Sequence, residues 1–414
     1  MTKKRSIILR IIKWSLFSSL VFLIGVGLYF WYSFNMTYEN CSKLYYYTIK
    51  SVPFKKKTAR YISFVSSNNK TENIYFEKVK MKARGGSSAD FPKHNFTIEF
   101  PNKISIAGMP KDDDWILCAS YIDRSFLRNK VSFDLFMQFH ENNIAPQTDF
   151  LEVYRNLRYH GLYVAMERMD AKRLKVDKSD QAARVFKEPS VFIHPSINTT
   201  GSNPDKSGDL HHQKFPKFEN QNFTSEMEQI RNFIVNSPDS VFYCSRKGVA
   251  NYFDLDNIID WHILLLLTHN EDGLIKNFVL YKQNENSKYK IAPWDYDHSF
   301  GRDGDSEPHE PGIIDVSRNT LFARLLTNEE YKYSLKKRYR ELVTNGILCK
   351  ENIYENIDSI SNNIHLLVEK NNNRWTHDDV FFDEVNFPQE IEFIKSWIPK
   401  QLSLLDNYFN NILL

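Results

Sequence analysis

The stretch DLDNIIDWHILLLLTHN, residues 254–270, constrains the fold most, because past Asp260 it is apolar nearly all round. A helix without a polar face is buried on every side, so a large core is predicted around it. With 414 residues, 42% hydrophobic and 25% charged, the chain is long enough to build that core as a folded globular protein. Ahead of this helix the pattern is strand-like. IYFEKVKMKARG and HNFTIEF alternate, WILCAS is a short buried run, and DFLEVYRNLRYHGLYVAMERMD reads as a hairpin turning at Asn156–Arg158. RSFLRNKVSFDLFMQFH has helical spacing between them. Residues 196–222, rich in Ser, Asn, Gly, Asp and His, read as a polar mobile loop. After the buried helix, KNFVLYKQNENSKYKIAP reads as a second hairpin, and helices are predicted at about 319–346, 351–371 and 387–411. Strands first and helices later predict an α+β domain of two lobes, strand-rich over about 59–195 and helix-rich over about 223–414.

The N-terminus has a different character. MTKKRSIILRIIK carries five basic residues and no acid, and WSLFSSLVFLIGVGLYFWYSF, 14–34, carries no charge. Those 21 residues match the roughly 20 that span a bilayer as a helix. Trp14 marks one end and Tyr29, Trp31 and Tyr32 the other, as interfacial aromatics do. The run is too long for a cleaved signal peptide and lacks an A-x-A-like site. The expectation is a single-pass membrane protein with residues 1–13 in the cytoplasm, a stalk over 35–58, and the domain from 59 to 414 outside the cytoplasm. Cys41, Cys118, Cys244 and Cys349 then permit disulfides in three pairings, with buried free thiols as the alternative. A net charge of +3, from 54 basic and 51 acidic residues, gives no nucleic-acid signature.

Chemistry concentrates where the second hairpin ends, in APWDYDHSFG, 292–301. Asp295 and Asp297 stand among Pro293, Trp294, Tyr296 and Phe300, where water should be scarce, and burying an isolated carboxylate costs several kcal/mol unless a cation meets it. A metal site explains the pattern, and so does a turn with its acids facing solvent. Just after the buried helix, Asp272 and Asn277 form D-x-x-x-x-N, and the hairpin returns 18 residues later to Asp295. Phosphoryl transfer uses such parts in this order: a carboxylate to orient the incoming hydroxyl, an amide oxygen on Mg2+, and a second carboxylate gripping the metal. One Asp and one Asn suffice, because Mg2+ keeps several waters. Alone, D-x4-N is weak; the hairpin and the aromatic setting strengthen it. KARGGSS, 82–88, lies between two strands, where Gly85, Gly86, Ser87 and Ser88 offer N–H groups and hydroxyls to a phosphate beside Arg84. It is no Walker loop, and an ordinary glycine turn is the competing reading.

In these residues the chain resembles the CotH-type kinases, an atypical family named for a spore-coat protein. The resemblance rests on RGGSSADFPKHNFTIEF, DDDWILCASYIDRSFLRN, VYRNLRYHGLYVAMER, the FK at 186–187, NEDGLIKNFVLYK and PWDYDHSFG, in family order over about 78–301. It implies an atypical, two-lobed kinase-like fold that binds ATP with Mg2+ or Mn2+ and phosphorylates Ser or Thr of secreted or surface proteins. Asp272 takes the catalytic place, Asn277 and Asp295 the metal places, and Asp297 an accessory one. Lys187 is the candidate for the ATP phosphates, with Glu167 as its ionic partner. The turn RNLRYHG departs from the expected asparagine–glycine, which touches turn geometry rather than chemistry. Asp123, Arg128 and Asn129 read as a structural polar network. Trp294 reads as a packed core tryptophan, with stacking on adenine as the alternative. Two rival functions remain: a metal-dependent glycosyltransferase using the D-x-D of Asp295 and Asp297, and a non-catalytic surface or coat scaffold.

Overall fold

Period-2 alternation in the first half of the chain produces a closed barrel. The computed structural model describes residues 14–15, 17–22, 24–25, 41–48, 58–65, 77–194, 209–303, 307–376 and 385–413. Strands β1 (Ser42–Tyr47), β2 (Thr58–Val65), β3 (Glu77–Arg84), β4 (Asn95–Ile104), β5 (Asp112–Cys118), β6 (Thr148–Arg155) and β7 (Arg158–Glu167) close in the order β1-β2-β3-β4-β5-β7-β6. A ring with an odd number of strands cannot be antiparallel throughout. The parallel contact joins β1 to β6, with Leu44 beside Val153.

Each strand divides its side chains between two cores. Met81 faces Ile98, Ile98 faces Trp115, and Leu117 faces Ala165. These fill the barrel together with Leu44, Tyr46 and Tyr163. The intervening Ile116, Cys118, Leu162, Val164 and Met166 point outward into a larger core built with the helices. Burial on both faces is why WILCAS and LYVAME read as near-continuous apolar runs.

The rest of the chain carries α1 (Arg128–Phe139), β8 (Arg184–Lys187), β9 (Gln213–Phe215), α2 (Thr224–Asn236), α3 (Leu255–Thr268), β10 (Phe278–Lys282), β11 (Lys290–Pro293), α4 (Thr320–Leu325), α5 (Glu329–Thr344), α6 (Lys350–Arg374) and α7 (Phe387–Asn411). Strands β11-β10-β8-β9 form a second, antiparallel sheet. Helix α3 is the apolar segment, and every residue from Asn257 to Thr268 is buried. It stops at His269, which turns left-handed at a φ of 52°. The single helix expected over 319–346 is two, because Asn319 and Asn328 each cap a new start. Helix α7 begins at a capping box of Asn386 and Gln389.

The mixed α+β class is as expected; three other expectations are corrected, and the open question of the cysteines is decided. No helix among the described residues is long and apolar enough to cross a membrane, which overturns the span over 14–34 and the single-pass, extracytoplasmic placement that rested on it. Helical positions are described only between Trp14 and Gly25. Residues 1–13, 16, 23 and 26–34 lie outside the described residues. The stalk expected over 35–58 contains β1, which seals the barrel. Of the loop at 196–222, the described part from Asp209 onward is ordered by buried groups. His211 is buried, with Nε2 at 2.9 Å from Glu228 Oε1, and β9 pairs with β8. All four cysteines are free thiols.

The β6–β7 hairpin shows what the missing asparagine–glycine does. Asn156 and Leu157 both take positive φ, 48° and 65°. Asn156 tolerates this and ties Thr48 at the end of β1 through two hydrogen bonds. Leu157 is 54% exposed and carries a Cβ where this turn prefers none. Leu157→Gly is therefore expected to stabilise the protein by about 1 kcal/mol, the left-handed penalty less the glycine's extra unfolded-state entropy. Tm should rise by about 2 °C in calorimetry; an unchanged or lower Tm would show that the turn is unstrained.

Candidate active site

The hairpin β10–β11 sets the site through two left-handed residues. Asn277, just before β10, has a φ of 59°, and Asp295, two residues past β11, has 62°. Asn and Asp bear this conformation best among residues with a Cβ. Trp294 N donates to Asn277 O at 2.9 Å, and Asn277 Nδ2 donates to Asp295 O at 2.9 Å. The amide nitrogen of Asn277 is thus spent inside the hairpin, and its Oδ1 is kept for another partner. Asn277, Asp295, Asp297 and Asp272 line one cleft of about 770 Å3, into which Arg84, Ser88 and Lys187 also open. Seven of the nine residues singled out in the sequence come together there.

Asp295 is placed differently from expectation. Trp294, Tyr296 and Phe300 are buried, but Asp295 is exposed, because the left-handed backbone turns it out of the aromatic layer. The crowded acid is Asp297, whose side chain is 18% exposed. Burial, and then the charge of Asp295, push its carboxyl up to about 7. The neighbouring His298 was missed in the sequence. Burial weighs against its charge, yet Asp272, Asp297 and Asp295 together push it up to about 9. His298 Nδ1 lies 3.5 Å from Asp272 Oδ2, an ion-pair distance at the outer edge of hydrogen bonding. Asp272 also meets Lys276 Nζ at 2.9 Å. Burial raises the Asp272 carboxyl, but His298 and Lys276 outweigh it and hold it below the usual carboxylate range.

The glycine turn lies on the barrel side of the cleft. Gly85 has a φ of 137°, and a Cβ there would lie 2.3 Å from Ser88 Oγ. Ser88 Oγ accepts from Asn95 Nδ2 at 3.2 Å, and Asn95 Oδ1 accepts from Ala119 N at 2.6 Å, which ties the turn to β4 and the end of β5. The Ser87 side chain lies outside the described residues.

Glu167 is not the partner of Lys187. It ends β7 and is held by Arg173 Nε at 2.7 Å and Gln147 N at 3.1 Å, away from the cleft. Lys187 belongs to the other sheet, and its Nζ is 3.5 Å from Glu188 Oε1 instead. Glu188 follows in a left-handed turn at a φ of 54°, a feature with no signal in the Glu188–Pro189 dipeptide.

The network of Asp123, Arg128 and Asn129 is structural, as read, and it supports the site. Arg128 NH1 is 2.8 Å from Asp123 Oδ1, Arg128 Nε donates to Ser299 O at 2.7 Å, and Asn129 Oδ1 accepts from Tyr296 N at 2.7 Å. The loop that carries Asp297 and His298 is therefore pinned on both sides. Its farthest member, Glu390 of α7, pairs with Arg128 at 2.6 Å and Arg302 at 2.7 Å.

The donors suit a hard cation. Among the described residues no group of three or more His, Cys, Asp or Glu could hold a metal. Of the acids lining the cleft, Asp295 and Asp297 offer two carboxylates beside the Asn277 amide oxygen, a small oxygen set that fits Mg2+ or Mn2+ with retained waters. Asp297 is raised first by burial and then by Asp295, and His298 by the three acids around it, so negative charge gathers beside these donors.

A pH experiment follows. In metal-free protein His298 should titrate near pH 9 by NMR, above the ordinary 6.5. The stability it contributes is full below 6.5 and is lost as pH rises through about 9. Asp272→Asn should lower that midpoint. A wild-type midpoint at or below 6.5 would show that the acids do not act on this ring.

A family model described as CotH kinase protein matches residues 81–405. The inner spore coat protein H of Bacillus subtilis (strain 168) is 27% identical over 256 residues, covering 61% of this chain and 68% of that protein. The crystal structure of the Helicobacter pylori proinflammatory kinase CtkA aligns over 77% of this chain and 95% of its own, at 11% identity and a TM-score of 0.29, too low to bear on the fold.

Proposed function

The chain belongs to the CotH kinase protein family, and on that footing we propose that it transfers the γ-phosphate of ATP to a serine or threonine hydroxyl of a protein. The observation that carries this reading is the meeting of Asp272, Asn277, Asp295 and Lys187 in one cleft. Arg84 and Lys187 place positive charge where a triphosphate would lie, and the turn at Gly85–Ser88 borders it with N–H groups. Asn277 Oδ1 and the carboxylates of Asp295 and Asp297 would hold Mg2+, which when bound neutralises phosphate charge in the transition state. Asp272, held ionised by His298 and Lys276, is a weak base, which suits a loose transition state in which the hydroxyl needs orientation more than early deprotonation. Secreted and surface proteins are the acceptor class proposed.

The test is incubation of the full chain with γ-labelled ATP, Mg2+ or Mn2+, and an extract of secreted and surface proteins. Label on Ser or Thr is the expected result. Melting raised by ATP without transfer would favour a scaffold, and melting raised by a nucleotide sugar but not by ATP would favour glycosyl transfer.

A further inference from the structure

We infer that Trp294 is a positioning residue that aims Arg84 and Lys187 together at the phosphates, an inference that rests on the nucleotide reading of the cleft. Arg84 ends β3 of the barrel, and Lys187 ends β8 of the second sheet. The Arg84 guanidinium carbon lies 5.2 Å from the centre of the Trp294 ring, and the Lys187 ammonium 5.3 Å. Two cations from separate sheets thus meet on one indole. An indole face is negative and attracts both, which offsets their mutual repulsion. Lys187 has a second partner in Glu188 at 3.5 Å. Among the described residues Arg84 has no carboxylate at ion-pair distance, and Asp295 and Glu188 act on it from farther off, so the ring is the near contact that orients its five donors.

The ring is itself held. Trp294 is 6% exposed, and its backbone N–H, not the indole, donates to Asn277 O at 2.9 Å, which fixes the Cα from which the buried ring projects. Across the sheet, Lys187 pairs with Val279 and Pro293 with Phe278, so the lysine and the tryptophan stand at the same end. The same backbone contact that orders Asn277 therefore orders the surface on which the two cations rest. Metal side and phosphate side are set by one residue. A ring whose surface is taken up by cations is not offered to a nucleobase, so Trp294 should read triphosphate rather than adenine.

The experiment measures dissociation constants of ATP, inorganic triphosphate and adenosine, each with Mg2+, for the full chain and for Trp294→Leu, Trp294→Tyr and Trp294→Phe. Trp294→Leu should weaken ATP and triphosphate by roughly tenfold each and leave adenosine unchanged, with Tyr and Phe recovering most of the loss. KM for ATP should rise with kcat little altered. In an Arg84→Met/Lys187→Met background the Leu change should have no further effect on triphosphate. The proposal is overturned if Trp294→Leu, or Trp294→Phe should the leucine variant not fold, weakens adenosine while sparing triphosphate. It is equally overturned if leucine binds triphosphate like wild type, if its effect persists in the double-Met background, or if the wild-type chain binds no triphosphate. Triphosphate binding without ATP binding in the wild type would leave the clamp standing and remove the kinase reading.

Discussion

Asp272→Asn is expected to lower phosphoryl transfer about 10²–10⁴-fold while Mg-ATP affinity stays within about threefold of wild type. The substitution keeps an oxygen toward Lys276 and His298 but removes the charge proposed to orient the acceptor hydroxyl. Lys276, whose side chain is 53% exposed, can turn to water, so the fold is not expected to suffer. Asp295→Asn should behave in the opposite way. Asp295 is exposed, so stability is unaffected, but a metal donor is lost and Mg2+ no longer tightens ATP binding. Calorimetry with and without Mg2+, together with single-turnover transfer, separates the two. Full transfer by Asp272→Asn would remove its catalytic assignment. Full metal-dependent activity in Asp295→Asn would reduce PWDYD to a turn.

Glu390→Ala is expected to cost about 3–5 kcal/mol, a large part of the 5–15 kcal/mol by which domains are stable. Glu390 is 1% exposed and receives Arg128 on Oε1 at 2.6 Å and Arg302 on Oε2 at 2.7 Å. Removing it leaves two buried guanidinium groups without the carboxylate that joins them, although Arg128 keeps Asp123. Burial would raise the Glu390 carboxyl, yet the two arginines hold it below its ordinary 4.5, so the stability it lends is present above that pH and lost as pH falls further. Activity should fall with stability, because Arg128 also grips Ser299 beside His298. Urea denaturation checks the cost. A midpoint equal to wild type would mean that the quartet of Asp123, Arg128, Arg302 and Glu390 does not hold α7 to the site.

Much of the site was legible because its parts are local. Asp272 and Asn277 are five positions apart on one turn, and Asp295 returns across a single hairpin, so spacing alone brings them together. Lys187 was found by its place in the order of motifs. Its partner was misread, since Glu167 and Lys187 belong to different sheets and strand order does not reveal which sheets meet. His298 carries no motif. Its charge comes from three acids assembled around it, and no window of sequence displays that sum.

Periodicity and motif order were enough to establish the α+β class, the buried helix α3, the two hairpins and the kinase family, because each is written within a few tens of residues. Tertiary structure alone decided that β1 closes the barrel by a parallel contact more than a hundred residues away, that Asp295 faces outward while Asp297 is enclosed, and that Glu390 neutralises Arg128 across 262 positions. Alternation and spacing act through neighbours along the chain. Burial and charge pairing depend on which distant side chains arrive, and only the closed fold settles that.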